Sequence, residues 1–213
     1  MIMQAVELKK RSDVHWARKI WHMVGVSTIL LLFVFLPEQW SKILITVGWL
    51  LFVPFDLIRQ NKESVNKFTL GIFAPIMRQS ELHKLAGTTY LLSGVALVVY
   101  FAPRPIVILT LLFLAFADPL ASYFGIRYGK DKILGDKSLQ GTLAAFGICF
   151  LLSLFFLLST GILNQRIILV SILSGIIGAL AELIPIAKLD DNFTLPVISA
   201  TFLWILFSIF GAL

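Results

Sequence analysis

Long apolar runs broken by short polar connections fill the chain. Seven of them approach the roughly 20 residues that a helix needs to cross the hydrocarbon core of a bilayer. They lie at roughly 20–37, 42–58, 85–102, 105–125, 141–160, 166–187 and 195–213. Residues around 60–84 mix apolar and charged positions without a spanning length, a pattern that predicts a helix lying at the membrane interface. No internal repeat, low-complexity tract or linker divides the chain. The expected architecture is therefore an all-α, polytopic integral membrane protein of about seven transmembrane helices, with residues 1–213 forming a single membrane-embedded domain.

Polar residues enter the apolar runs at few places, and these have a helical period. Asp118, Ala121, Ser122, Gly125 and Gly129 fall at i, i+3, i+4, i+7 and i+11, which puts one carboxylate on a face of small side chains. Counting back from Glu182 by 4, 7, 8 and 11 gives Gly178, Gly175, Ser174 and Ser171, a second acid on a second such stripe. Two helices of this kind can pack closely through their small faces. A charged group at depth costs about 2.5–3.5 kcal/mol on insertion scales, so Asp118 and Glu182 each require a compensating partner. Pro119 frees a carbonyl one turn back and favours a kink beside the first acid. His15, Arg18, His22 and Gly25 line one face at the head of the first span, with Lys19 beside them. Glu81, Lys84 and Thr88 form a polar stripe entering the third span, and Asp56 with Arg59 reads as a local ion pair.

Composition agrees with the pattern. The chain is 58% hydrophobic and 14% charged, with a mean hydropathy of +0.91, which excludes a soluble domain of this length. Eighteen Lys and Arg against 12 Asp and Glu give a net charge of +6. In a soluble protein that excess would suggest nucleic acid; here the cations lie in connections and report topology, and no nucleic-acid partner is expected. With a cytoplasmic N-terminus, Lys9, Lys10, Arg11, Arg18, Lys19, Arg59, Lys62, Lys67, Arg78, Lys84, Arg127, Lys130, Lys132, Lys137 and Lys188 fall inside, while Lys42, Arg104 and Arg166 fall outside. The longer connections are then cytoplasmic, and a functional site is expected on that side of a multi-pass protein. The first apolar run follows the basic cluster, so no cleavable secretory signal is expected. The single cysteine, Cys149, lies in an apolar run and reads as packing.

The stretch Asp118–Gly141 carries the candidate chemistry. After the acid, Lys and Gly alternate through a loop closing on Lys137, Ser138 and Gly141, a composition suited to wrapping phosphates with backbone amides and cationic heads. It equally suits an ordinary helix end with a positive cytoplasmic loop. Oxygen ligands on Asp118, Glu182, Asp190, Asp191 and Asn192 suit a hard cation such as Mg²⁺, with phosphate oxygens completing the shell.

The run Asp118-x-x-Ala121-x-x-x-Gly125-x-x-x-Gly129, followed by Lys137-Ser138-x-Gln140-Gly141, resembles the CTP-binding signature of the dolichol kinase, phytol kinase and CTP-dependent diacylglycerol kinase family. Arg18-Lys19-x-x-His22, Glu182 and Asp191-Asn192-x-x-x-Pro196 are similar to that family's other polar blocks. The chain departs from the signature at Gln140, where a glutamate is usual, and at Asp136-Lys137, where two basic residues are frequent. The resemblance implies transfer of the γ-phosphate of CTP to the hydroxyl of a membrane lipid alcohol: a polyprenol or dolichol, a phytol-type alcohol, or diacylglycerol. It implies that Gly125, Gly129, Lys130, Lys137, Ser138 and Gly141 hold the triphosphate, with Asp118, Asp191 and Asn192 around Mg²⁺. Arg18, Lys19 or His22 would offset charge on the transferred group, and Glu182 or Asp190 would act as base. The alternatives are a phosphatidate cytidylyltransferase, which would release pyrophosphate, and a small secondary transporter using Asp118 and Glu182 as pathway acids.

Overall fold

The computed structural model describes residue 8, residues 13–186 and residues 189–213. Lys9, Lys10, Arg11 and Lys188, which enter the charge count, lie outside these. Helix α1 (Trp16–Phe35) leads into α2 (Glu38–Asn61), α3 (Glu63–Phe73) and two 3₁₀ turns at Ala74–Ile76 and Gln79–Glu81. Then come α4 (Gly87–Phe101), α5 (Arg104–Leu112), α6 (Asp118–Tyr128), α7 (Leu139–Thr160), α8 (Ile167–Leu183) and α9 (Asp191–Ile209). The expected all-α architecture is present. Among the described residues, six helical stretches are long and apolar enough to span a membrane, and α4, with 15 residues, is a shorter apolar helix.

Residues 60–84 are not one continuous helix. Helix α3 ends at Phe73, where Pro75 removes an N–H donor and the chain passes into 3₁₀ turns. Nor do Glu81, Lys84 and Thr88 share a helical face, because α4 begins only at Gly87. Tertiary hydrogen bonds override the periodicity there. Arg59 and Asp56, each 1% exposed, do form their ion pair at 2.8 Å. In addition, Arg59 donates to the carbonyls of Glu81 and Lys84, and Asp56 accepts from Ala86 N–H and the Thr89 hydroxyl. This buried pair therefore fixes the loop ahead of α4 as well as bridging one helical turn.

The centre of the bundle is the 25-residue stretch Arg104–Tyr128, whose first half is almost wholly apolar and buried, as a core helix must be. Ile106, Val107, Leu109, Leu111, Phe113 and Leu114 are inaccessible. Its middle, Phe113–Ala117, is a π-helical turn in which Asp118 N–H bonds to Phe113 O, five residues back. In that register the next donor would meet Leu114 O, but residue 119 is proline and has no N–H. His22 of α1 fills the vacancy, its Nε2 lying 2.8 Å from Leu114 O.

The two small-residue stripes pack not on each other but both on α7. A Cβ at Gly178 would meet Cys149, whose own Cβ is 2.8 Å away, and one at Gly175 would lie 3.1 Å from Phe146 and Phe150. On the α6 side, a Cβ at Gly141 would lie 3.2 Å from Ala121 O and from Gly125 Cα. Ala121, Ala145 and Ala179 close the contact of the three helices. Cys149 is a buried packing residue, as expected. The Lys-Gly connection folds into a short antiparallel hairpin, β1 (Lys132–Leu134) and β2 (Lys137–Ser138), turning at Gly135 with φ of +55°.

Candidate active site

At one end of the bundle the beginnings of α1, α6, α7 and α9, the end of α8 and the hairpin surround a cavity of about 390 Å³. Arg18, Lys19, His22, Asp118, Gly125, Gly129, Lys137, Ser138, Gly141, Glu182, Asp190, Asp191 and Asn192 all line it. Residues separated by up to 174 positions thus meet at one place. Lys130 does not line it; this residue is exposed, and its N–H is given to Gln140 Oε1 at 3.1 Å. Gln140 itself faces the turn, where its amide also donates to Asp131 Oδ2 at 2.7 Å. A glutamate there would place a second negative charge against Asp131, so the amide suits this chain's own turn.

Each cation on α1 is aimed by a fixed partner. Arg18 is held bidentately by Glu81, Nη1 to Oε2 and Nη2 to Oε1 at 2.8 Å each, and also donates to Ile76 O. Burial opposes ionisation of Glu81, but Arg18 and the N–H groups of Arg78 and Gly87 outweigh it and hold the carboxyl below its ordinary range. Gly87 has no side chain because one would collide with Arg18 and come within 2.7 Å of Asn192 Nδ2. The buried Lys19 ammonium donates to Pro119 O at 3.1 Å and Ser122 Oγ at 2.8 Å, beside Asp118. His22 Nε2 lies 3.7 Å from Asp118 Oδ2.

On the opposite wall, Lys137 Nζ sits between two carboxylates, 2.5 Å from Glu182 Oε1 and 3.1 Å from Asp191 Oδ2. Burial works against its charge, yet the two acids outweigh burial and hold the ammonium above its ordinary value. The lysine thereby supplies the compensating charge that the buried Glu182 needs. Ser138, 2% exposed, caps α7 by accepting from Gly141 N–H at 3.3 Å, and the Leu139 N–H is taken by Asp131 O. Those amides are already paired. Gly129 is required sterically, since a Cβ there would strike Gly125 O and lie 2.5 Å from Ser138 Oγ. Asp190 caps α9 through Oδ1, which accepts from Asn192 N–H at 3.0 Å.

Two further cationic residues, Arg78 and Lys132, line the cavity without any mark in the sequence pattern. Both lie off the helices, where no period marks them; the basic character of the loops was the only available signal. Glu81 was recognised as a polar residue, but nothing in the spacing points from it to Arg18, 63 positions away. Among the described residues, no three His, Cys, Asp or Glu gather closely enough to hold a metal ion by themselves.

Taken together, the cavity offers cations on two walls and carboxylates between them, an arrangement suited to a polyanion carrying a hard cation. No family model matches the chain, and no solved structure matches it. Three curated proteins do. The CTP-dependent diacylglycerol kinase 1 of Schizosaccharomyces pombe is 32% identical over 172 residues, covering 76% of this chain and 79% of that protein. The Saccharomyces cerevisiae protein of the same name is 28% identical over 70% of this chain, which spans 58% of its length. The one from Eremothecium gossypii is 27% identical over 87% of this chain, which spans 65% of its length. All three are kinases by name, which disfavours the cytidylyltransferase and transporter readings. With a shared length of that extent and identity to the first, this chain belongs to the family of CTP-dependent lipid kinases.

Proposed function

We propose that the cavity binds CTP and that its γ-phosphate passes to the hydroxyl of a membrane lipid, with diacylglycerol as the acceptor. The observation that carries this reading is the convergence of Asp118, the Lys137–Glu182–Asp191 cluster and the α1 cations on one cavity. The excess of Lys and Arg in the connections at that end supports a cytoplasmic orientation, on the side where the nucleotide is. The diacylglycerol acceptor follows from the names of the three relatives.

In the transfer, the bond from the γ-phosphorus to the bridging oxygen breaks, a bond from that phosphorus to the lipid oxygen forms, and the hydroxyl proton goes to a carboxylate, Glu182 or Asp190. The products are CDP and a lipid phosphate. Little covalent assistance is needed, so catalysis rests on positioning and charge neutralisation. Arg18, fixed by Glu81, and Lys19, fixed by Pro119 O and Ser122, present cations that need not reorganise as charge develops. Lys137 turns from its carboxylates toward the phosphates, as does Lys132 from Asp136 O. The residues fit a magnesium ion that arrives with the triphosphate, not one caged in advance: Mg²⁺ is ordinarily held by one or two carboxylates plus phosphate oxygens, and Asp118 and Asp191 supply that number. Bound there, it would neutralise the phosphate oxygens.

Purified protein incubated with γ-labelled CTP, ATP, GTP or UTP and dioleoylglycerol tests the reading. Label in the lipid with CTP, and CDP as co-product, is expected; release of labelled pyrophosphate without labelled lipid refutes it.

A further inference from the structure

A second cavity, about 210 Å³, adjoins the first between α1, α2, the end of α3 and the start of α4. Arg18, His22 and Asn192 line both, so the two share a polar wall. The remaining wall is largely apolar. Trp21, Phe55 and Phe73 line it, yet they are 53%, 37% and 38% exposed at the outer surface of the bundle. The cavity therefore runs from the lipid-facing surface to the place where a transferred phosphoryl group would stand. Thr88 also lines it, and the Thr88 hydroxyl makes no hydrogen bond among the described residues. At Gly25, another lining residue, a Cβ would find nothing within 4 Å.

Building on the kinase reading above, we propose that this second cavity is the acceptor seat and that it takes the glycerol end of a diacylglycerol. The free hydroxyl points to the wall of Arg18, His22 and Asn192. Thr88 donates to an ester carbonyl, a group that isoprenoid alcohols lack. The acyl chains leave past Trp21, Phe55 and Phe73 into the bilayer. Cavities enclosing a whole drug-sized ligand measure about 300–1,000 Å³, so this one takes the head and first carbons while the tails stay in hydrocarbon. A donor that is left without its acceptor discriminates strongly, which makes Thr88 a specificity residue between ester-bearing and ester-free lipid alcohols.

Three measurements on the full chain in mixed micelles decide the matter. Gly25→Phe, and the smaller Gly25→Leu, fill open space; each is expected to raise KM for dioleoylglycerol about tenfold while KM for CTP stays within about twofold. Wild type should show a lower KM for the diacylglycerol than for its dialkyl ether analogue, and Thr88→Val should erase that difference. Unchanged lipid KM in both Gly25 variants overturns the seat, and an undiminished ester preference in Thr88→Val overturns the role of Thr88. Photolabelling is independent of turnover: a diacylglycerol with a diazirine near its ester should label peptides of α1, α2 or α4 in wild type. Labelling confined to other helices overturns the seat. Labelling there in a protein that phosphorylates no lipid upholds the seat and sinks the kinase reading instead.

Discussion

Glu81 grips Arg18 with both carboxylate oxygens, so that a loop residue ahead of α4 aims a cation carried by α1. The grip is itself braced. Gly87 N–H and Arg78 N–H donate to the same carboxylate, and the buried Asp56–Arg59 pair holds the carbonyls on either side of that loop. Helix α2 thereby reaches Arg18 through one loop.

Glu81→Gln should cost about 3–5 kcal/mol of stability, the range for removing one partner of a buried ion pair, and lower kcat with it. The folded carboxyl titrates below its ordinary 4.5, so its stabilisation is complete above that pH and is lost as pH falls through the depressed value. Thermal melting in detergent at stepped pH from about 7 down to about 3 checks this. Wild type should lose more on acidification than the glutamine variant; equal losses would show that the pair does not matter.

Lys137→Met should leave Glu182 and Asp191 facing each other without a cation. The expected result is weaker CTP binding by about 10- to 100-fold, together with a less stable fold, since one partner of a buried cluster is gone. Because the ammonium is held above 10.5, its stabilisation is fully present below that pH and is lost only as pH rises past it. The difference in melting temperature between wild type and Lys137→Met should therefore stay constant from neutral pH up to 10.5 and shrink only above it. Equilibrium binding of labelled CTP by the variant at wild-type affinity would remove Lys137 from the nucleotide site.

Gly178→Leu places a side chain where a Cβ alone would already collide with Cys149. Overpacking of this kind costs about 1–3 kcal/mol or more, and Gly178→Leu should melt earlier while Gly25→Leu, in open space, should not. Differential scanning of the two variants side by side provides the comparison.

The site is legible in the sequence where helical period survives. Asp118 and Glu182 stood out because each ends a stripe of small residues on a continuous helix, and both line the cavity. The stripes did not disclose their partner: α7 lies between them, and its contribution at Ala145, Phe146 and Cys149 looks like any apolar run. Loop composition together with the family resemblance marks Lys137 as a candidate phosphate ligand, but its carboxylate partners come from 45 and 54 residues further on. Asp56 and Arg59 were legible as a pair one turn apart, whereas their hold on residues 81–89 is tertiary and leaves no local mark. Near Glu81 the helical pattern misled, because hydrogen bonds from Arg18 and Gly87 stabilise a 3₁₀ turn in place of a longer α4.

The most direct measurement is single-turnover transfer of label from γ-labelled CTP to dioleoylglycerol by wild type and Asp118→Asn, in detergent with Mg²⁺. The isosteric amide removes one charge from the cavity wall and little else. Loss of transfer by about 100-fold or more, with the melting temperature kept, is the predicted result. Transfer by Asp118→Asn at the wild-type rate would contradict a phosphoryl-transfer centre at this end of the bundle.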